Sequence, residues 1–433
     1  MRENLWGLLG PEFLPSTRRT RTLGLGAAVR HFNDLAVPGL GGIWYGKQAL
    51  LATLGVLVAE QARSRGAKVQ NIEVANAIEA LACWLAFKGN GWRSDPRLRG
   101  STKLRDHGDG FSFARVRQRN FYVTQPMRMA TVQALPALGF VDSESARFNA
   151  FSTSEMGRAF VDQTCRDFRP HNRSVSEHLA MWVCGQHDSV ISGKLSEALS
   201  PLVPIAPSAL PLLRERLIQG GNDTSEDRRR RGNALAWVEA LRHSKPSQLS
   251  WEVRPDAISD IHWQDLRSGA RFFRAREAAI QVLDTLEVHI GNQVLGATHS
   301  LRTSVPNGLL SMINALGEAA GEFLNSGHAD EVATTFCREC VESDASQVLR
   351  SLVARDGHVL RLVGDDVKPG PAFRGSEAVG DGQDAEPSDS PETQSILMPE
   401  GISYRMFNLY LLNADIHGEL PQLLGADAAG ERP

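Results

Sequence analysis

The run ALLATLGVLVA, residues 49–59, restricts the fold more than any other stretch. Its eleven uncharged, mostly apolar residues leave no polar face for water. They are too few to cross a bilayer, which takes about 20 residues. The run therefore predicts a helix over 47–66 that other elements enclose, so the chain must supply several more helices to wrap it. The next segment, NIEVANAIEALACWLAFK (71–88), sets Ile72, Ala75, Ile78, Ala82 and Leu85 at helical spacing, the pattern of an amphipathic helix. Asn71 suits its start and GNGW (89–92) its stop. Further helices are expected over 170–200, from NALAWVEALRHS, over 262–290 on the stripe Phe272, Ala275, Ala279, Val282 and Leu286, and over 307–325 and 328–356. The best strand candidate is HVLRLVGDDV, 358–367.

At 433 residues the chain has room for two or three domains. Its net charge of −3 favours no class of partner, but the charge is unevenly spread. Residues 1–130 carry 19 Lys and Arg against 9 Asp and Glu, whereas the remainder carries 28 against 41. Such asymmetry points the first third at something anionic. Within it, residues 93–119 hold eight Lys and Arg against three Asp. Five cysteines make no disulfide framework and fit a reducing compartment. The N-terminus MRENLWGLLGPEFLPSTRRT has no long apolar core behind a basic start, so a cytoplasmic protein with no membrane partner is expected.

Residues 124–164 are the most legible block. MATVQALPALGFV puts Val132, Leu135 and Leu138 on one helical face. Gly139 is suited to ending that helix in a left-handed conformation. Phe140 and Val141 start an extended segment, DSES (142–145) is turn chemistry, and RFNAF (147–151) returns as a second strand. Ser152 or Ser154 caps the following helix, and Ser152 with Glu155 has capping-box spacing. The order helix, glycine, strand, hairpin, capped helix resembles the winged helix-turn-helix of MarR-like transcription regulators, over about residues 112–166. LPALGFV (135–141) and SEMG (154–157) carry the likeness; Pro136, inside the supposed recognition helix, departs from it.

The resemblance implies DNA contact. Gln125, Arg128, Thr131 and Gln133 would lie on the solvent face of the recognition helix, where Gln and Arg can pair with base edges. Arg147 in the hairpin would meet the backbone or minor groove. Just upstream, Arg115, Arg117 and Arg119 sit at spacing two, which in an extended strand gives one basic stripe for phosphates.

GGIWYGKQ (41–48) comes within one residue of the phosphate-binding pattern G-x-x-x-x-G-K-[ST]. Gln48 stands in place of the metal-holding hydroxyl, Pro38 disturbs any preceding strand, and Trp44 and Tyr45 are bulky for a phosphate cradle. A tight glycine turn is expected instead, with the aromatic pair in the core and Lys47 solvated. Cys337 and Cys340 form a lone C-x-x-C, expected as buried thiols on one helical turn rather than a zinc site. Asp365, Asp366 and Lys368 mimic half of a metal-dependent nuclease core, but the upstream acid is missing. No cofactor or metal site is expected.

Residues 366–395 hold eight Gly and Pro, seven acids and two bases, which reads as a disordered acidic linker. After it, Met406, Leu409, Leu412 and Ile416 form a helical stripe that must bury itself, either on the same chain or on a partner. The resulting organisation is mainly α: a basic helical region (1–111), a winged helix (112–166), a helical domain with a small β element (167–365), the linker (366–395) and a docking helix (396–433). The function expected is a non-catalytic, nucleic-acid-binding or scaffold subunit of a bacterial DNA-handling or anti-phage assembly, partnered by DNA and by other protein subunits. A divergent metal-dependent nuclease or nucleotide-dependent enzyme, and a one-component regulator, are the alternatives.

Overall fold

The computed structural model describes residues 21–108, 110–186, 190–221, 224–242, 249–292, 298–303, 305–375 and 398–425. The protein is mainly helical, with small antiparallel strand pairings. It divides into two compact units, each assembled from segments distant in sequence: residues 30–270 with 386–433, and residues 1–29 with 271–385. No helix among the described residues is long and apolar enough to cross a membrane.

The larger unit is organised around the helix Gly46–Ser64, in which the run 49–59 is buried throughout. It packs against Asn71–Gly89, Glu155–Cys165, Val175–Val183 and Tyr404–Ile416. This enclosure satisfies a segment with no polar face. At its closest crossing, Gly55 meets Ala75: a Cβ added at Gly55 would lie 2.5 Å from the Cβ of Ala75. The helix Asn71–Gly89 is not amphipathic, as its spacing had suggested. Val74, Leu81, Cys83, Trp84 and Phe87 are buried as well as Ala75, Ile78, Ala82 and Leu85 of the expected stripe, while Ile72 is only partly buried, because this helix too is covered on more than one side. Gln70 rather than Asn71 caps it. Asn71 lies inside, donating to the carbonyls of Phe148 and Phe151 at 3.1 and 2.8 Å.

The helix Tyr404–Ile416 buries its stripe on the same unit, against Ser225–Arg242 and Gly46–Ser64. Its Arg405 is wholly buried, ion-paired to Asp34, and donates to the Val37 carbonyl at 3.2 Å and to Gln133 Oε1 at 2.6 Å.

In the smaller unit, helices Asn307–Leu324, Glu331–Cys340 and Ala345–Asp356 pack together beside a three-stranded sheet. Asp366–Pro369 is its middle strand, between His299–Ser300 and Leu360–Val363. The strand expected over 358–367 is thus a hairpin turning at Gly364, whose φ is +64°. Residues 366–369, assigned from composition to the linker, belong to this hairpin. Residues 376–395 of the expected linker lie outside the described residues, as does 1–20. Arg21 reaches Asp284, Glu287 and Asp356 at 3.1, 2.6 and 2.5 Å, tying the chain before the first described helix into this unit.

Residues 124–164 take a different shape from the one their sequence suggested. Strands Val141–Ser143 and Phe151–Thr153 pair antiparallel, Val141 opposite Thr153. Ser154, not Ser152, caps the helix Glu155–Cys165: its Oγ accepts from Gly157 N at 3.0 Å and donates to the Gly139 carbonyl at 2.6 Å. Ser152 faces out from the strand instead. A Cβ at Gly157 would sit 2.0 Å from the Phe140 carbonyl oxygen, which explains glycine in SEMG. Before the hairpin there is no long helix. Arg128–Thr131 and Ala134–Ala137 are single turns, the second containing Pro136, which has no N–H to extend the ladder.

Candidate nucleic-acid interface

The basic segment after residue 87 lies over a bed of aromatic side chains. Lys88 Nζ stands 4.8 Å from the ring centre of Trp84. Trp84 donates its indole N–H to the His107 carbonyl at 3.1 Å and packs its ring 4.4 Å from Phe111. His107 stacks on Phe121 at 4.1 Å, and Arg115 sits 5.9 Å over that same ring while approaching His107 Nδ1 at 3.2 Å. Arg105 lies 5.3 Å over Trp92, itself stacked on Phe87 at 5.3 Å. Trp84, Phe87, Phe111 and Phe121 are buried, so these rings are a floor and the cations are the surface. A cation above the negative face of a ring is held in place without losing its charge.

Six exposed cations result: Lys88, Arg93, Lys103, Arg105, Arg115 and Arg119. Lys103 donates to the Tyr122 carbonyl at 3.1 Å, while Arg93 and Arg119 have no side-chain partner among the described residues. Of the described acids between residues 88 and 119, Asp106 is exposed; Asp95 is occupied by Arg97, at 2.9 and 2.8 Å. Arg93, Lys103, Arg105, Arg115 and Arg119 are exposed and form no ion pair with an acid among the described residues. That arrangement suits a polyanion whose phosphates are spaced along a backbone.

The residues expected to touch DNA are scattered. Arg115 ends the short helix Phe113–Val116, with Arg117 and Arg119 in the turn that follows, so the expected extended stripe does not form. Arg117 turns inward to Glu73 at 2.5 Å and over Phe113, leaving Arg115 and Arg119 exposed. Gln125 and Arg147 are exposed as well. Arg128 is half-buried: its Nε donates to Asn76 at 2.8 Å and its guanidinium covers Phe148 at 5.0 Å. Thr131 is fully buried and Gln133 holds Arg405. Arg128, Thr131 and Gln133 therefore act inside the fold and present no base-reading face.

The cause is Glu79, buried in the middle of the Asn71–Gly89 helix. It accepts from the backbone N–H groups of Met127 and Arg128 at 2.7 and 3.0 Å, and from the Tyr122 hydroxyl at 3.0 Å. Burial raises its pKa to about 7 despite these bonds. The turn opening at Arg128 is thus anchored to the core rather than offered to solvent.

What the sequence pattern did not announce is the aromatic partner of Lys88, Arg105 and Arg115. Trp84, Trp92, Phe111 and Phe121 interleave with Lys88, Arg105 and Arg115 in the sequence, and that alternation was the available signal.

GGIWYGKQ forms a tight turn with Gly41 at φ +59°, and Trp44 and Tyr45 pack edge to face in the core. Lys47, expected in solvent, is only 2% exposed and donates to the Ala198 carbonyl at 2.5 Å. The backbone N–H of Gly46, which a phosphate would need, donates to Asp415 at 2.8 Å. The helix start is occupied by the protein's own carboxylate.

The remaining motifs are structural. Cys337 and Cys340 are buried on one helix, and burial pushes the Cys337 thiol up to about 12. Asp365 is ion-paired to Arg302 and Arg350, both at 2.5 Å, which hold its carboxyl below its usual range. No group of three His, Cys, Asp or Glu side chains among the described residues is placed to hold a metal ion. No protein-family model, curated protein or solved structure matches this chain, which leaves its own side chains to indicate what it does.

Proposed function

We propose that the protein is a non-catalytic nucleic-acid-binding subunit that grips the phosphate backbone, independent of sequence, through the face built by residues 88–119. One observation carries this reading: six exposed cations, three of them (Lys88, Arg105 and Arg115) seated over aromatic rings, with Asp106 the exposed acid among the described residues of that segment. Because Arg128, Thr131 and Gln133 are tied into the core, the reading gives the winged-helix segment a supporting part rather than a base-reading one. The helix Tyr404–Ile416 is spent on its own unit and lends no support to a partner-clasping role.

The test is binding of a random duplex as a function of salt. Each phosphate neutralised contributes about −0.9 to the slope of log K against log salt. Engagement of four to six of these cations gives a slope of roughly −4 to −5. Absence of binding at low salt would remove the proposal.

A further inference from the structure

A second surface, in the same larger unit, carries buried charge with unused bonding capacity. A cleft of about 540 Å³ is lined on its apolar walls by Phe168, Ile205, Leu210 and Ile416, and at its base by Lys47 and Asp415. The volume falls within the range of small-molecule sites. An ammonium has three donors, and that of Lys47 uses one, on the Ala198 carbonyl. The other two have no partner among the described residues. A carboxylate has two oxygens, and Asp415 uses Oδ2, on Gly46 N. Its Oδ1 has no hydrogen-bond partner among the described residues. Both side chains are nearly inaccessible, at 2% and 6%. Asp415 Oδ1 is not among the buried side-chain atoms left without a partner, so it opens onto the cleft, where it can accept from a ligand. Burial lowers Lys47 to about 8 and raises Asp415 to about 6, so both remain charged between those values.

We infer that this cleft binds a free α-amino acid with an apolar side chain, its carboxylate on Lys47 and its ammonium on Asp415. One cation and one anion lining the same cleft match a zwitterion, which carries its ammonium and its carboxylate on the same carbon. Phe168, Ile205, Leu210 and Ile416 then cover the side chain, and the exposed Asp167 adds a second acid to the lining. His417 lines the cleft but is turned to Glu239, at 3.1 Å. Arg97, paired with Asp95, also acts on Asp415, but the site uses none of the exposed cations of the 88–119 face and does not depend on the function proposed for it.

The test is calorimetric titration of the full chain with L-leucine, 4-methylpentanoate and isoamylamine. The last two lack the ammonium and the carboxylate, respectively. Saturable binding of leucine, with each analogue at least about tenfold weaker, is expected, because either analogue leaves a buried charge unpaired. Ala206→Trp fills the cleft from a half-buried lining position and leaves Lys47 and Asp415 themselves unchanged. This variant should unfold at the wild-type temperature and lose leucine binding. No heat at millimolar leucine, equal binding of all three compounds, or undiminished binding by folded Ala206→Trp would each overturn the inference.

Discussion

Gly55→Ala adds one methyl group where the two central helices of the larger unit cross, so its effect can be worked out from the crossing. The new Cβ would lie 2.5 Å from Ala75 Cβ, 2.7 Å from Ala75 Cα and 3.3 Å from Ala75 N. These are backbone atoms or the first side-chain carbon of the neighbouring helix, so no rotamer change relieves the clash. The helices Gly46–Ser64 and Asn71–Gly89 must separate, and both are buried on their other sides. Overpacking of this kind costs about 1–3 kcal/mol. Alanine's greater helix propensity returns up to about 1 kcal/mol. A net loss of about 1–2 kcal/mol follows. Gly232→Ala, in the helix Ser225–Arg242, is the matched control, because its Cβ would meet only Ile218 Cγ2, at 3.9 Å. It should stabilise by up to about 1 kcal/mol. Seven of the eight tryptophans belong to this unit, so urea unfolding followed by tryptophan fluorescence reports it selectively. A Gly55→Ala midpoint equal to or above wild type would refute the close crossing.

Three further outcomes are expected. Arg115→Ala/Arg119→Ala should make the salt slope of duplex binding shallower by about 2, measured by fluorescence anisotropy, with Arg117→Ala changing it less because Arg117 is engaged by Glu73; an unchanged slope in the double variant places the phosphates elsewhere. Burial raises Asp415 from 3.8 to about 6. Its folded form therefore holds the proton more tightly than the unfolded chain, and wild-type stability falls as pH rises from about 4 through 6. Asp415→Asn lacks that loss, so urea unfolding at pH 4 and pH 7 should show the balance moving toward the variant by up to about 3 kcal/mol. Arg405→Ala should cost about 3–5 kcal/mol in the same unfolding assay, because it removes a fully buried guanidinium on which Asp34, Val37 and Gln133 converge; a loss below 1 kcal/mol contradicts that burial.

Elements that depend on local chemistry were legible in the sequence. The apolar run 49–59 gave the central helix, and glycines 139 and 364 mark turns where the chain adopts positive φ. Composition also pointed to the basic segment. What could not be read was anything decided by distant partners. Lys47 looked solvated because nothing near it in sequence announces the Ala198 carbonyl. Arg128 and Gln133 looked like base readers because their outward helical spacing is real, while Glu79 and Arg405, which hold that segment inward, lie far along the chain. The acidic composition of 366–395 hid a strand, since four residues pairing with a neighbour leave little compositional trace.

The bond from Gly46 N to Asp415 links residues 369 apart in sequence. During synthesis, therefore, the central helix emerges long before the segment that closes its first turn and covers its flank. A chain released only as far as residue 400 would carry that apolar surface uncovered, in the state most prone to aggregation. Closing so large a loop is slow compared with forming local helices. The helix Tyr404–Ile416 is accordingly the latch of the fold, and the time it takes to arrive sets how long that apolar surface stays open.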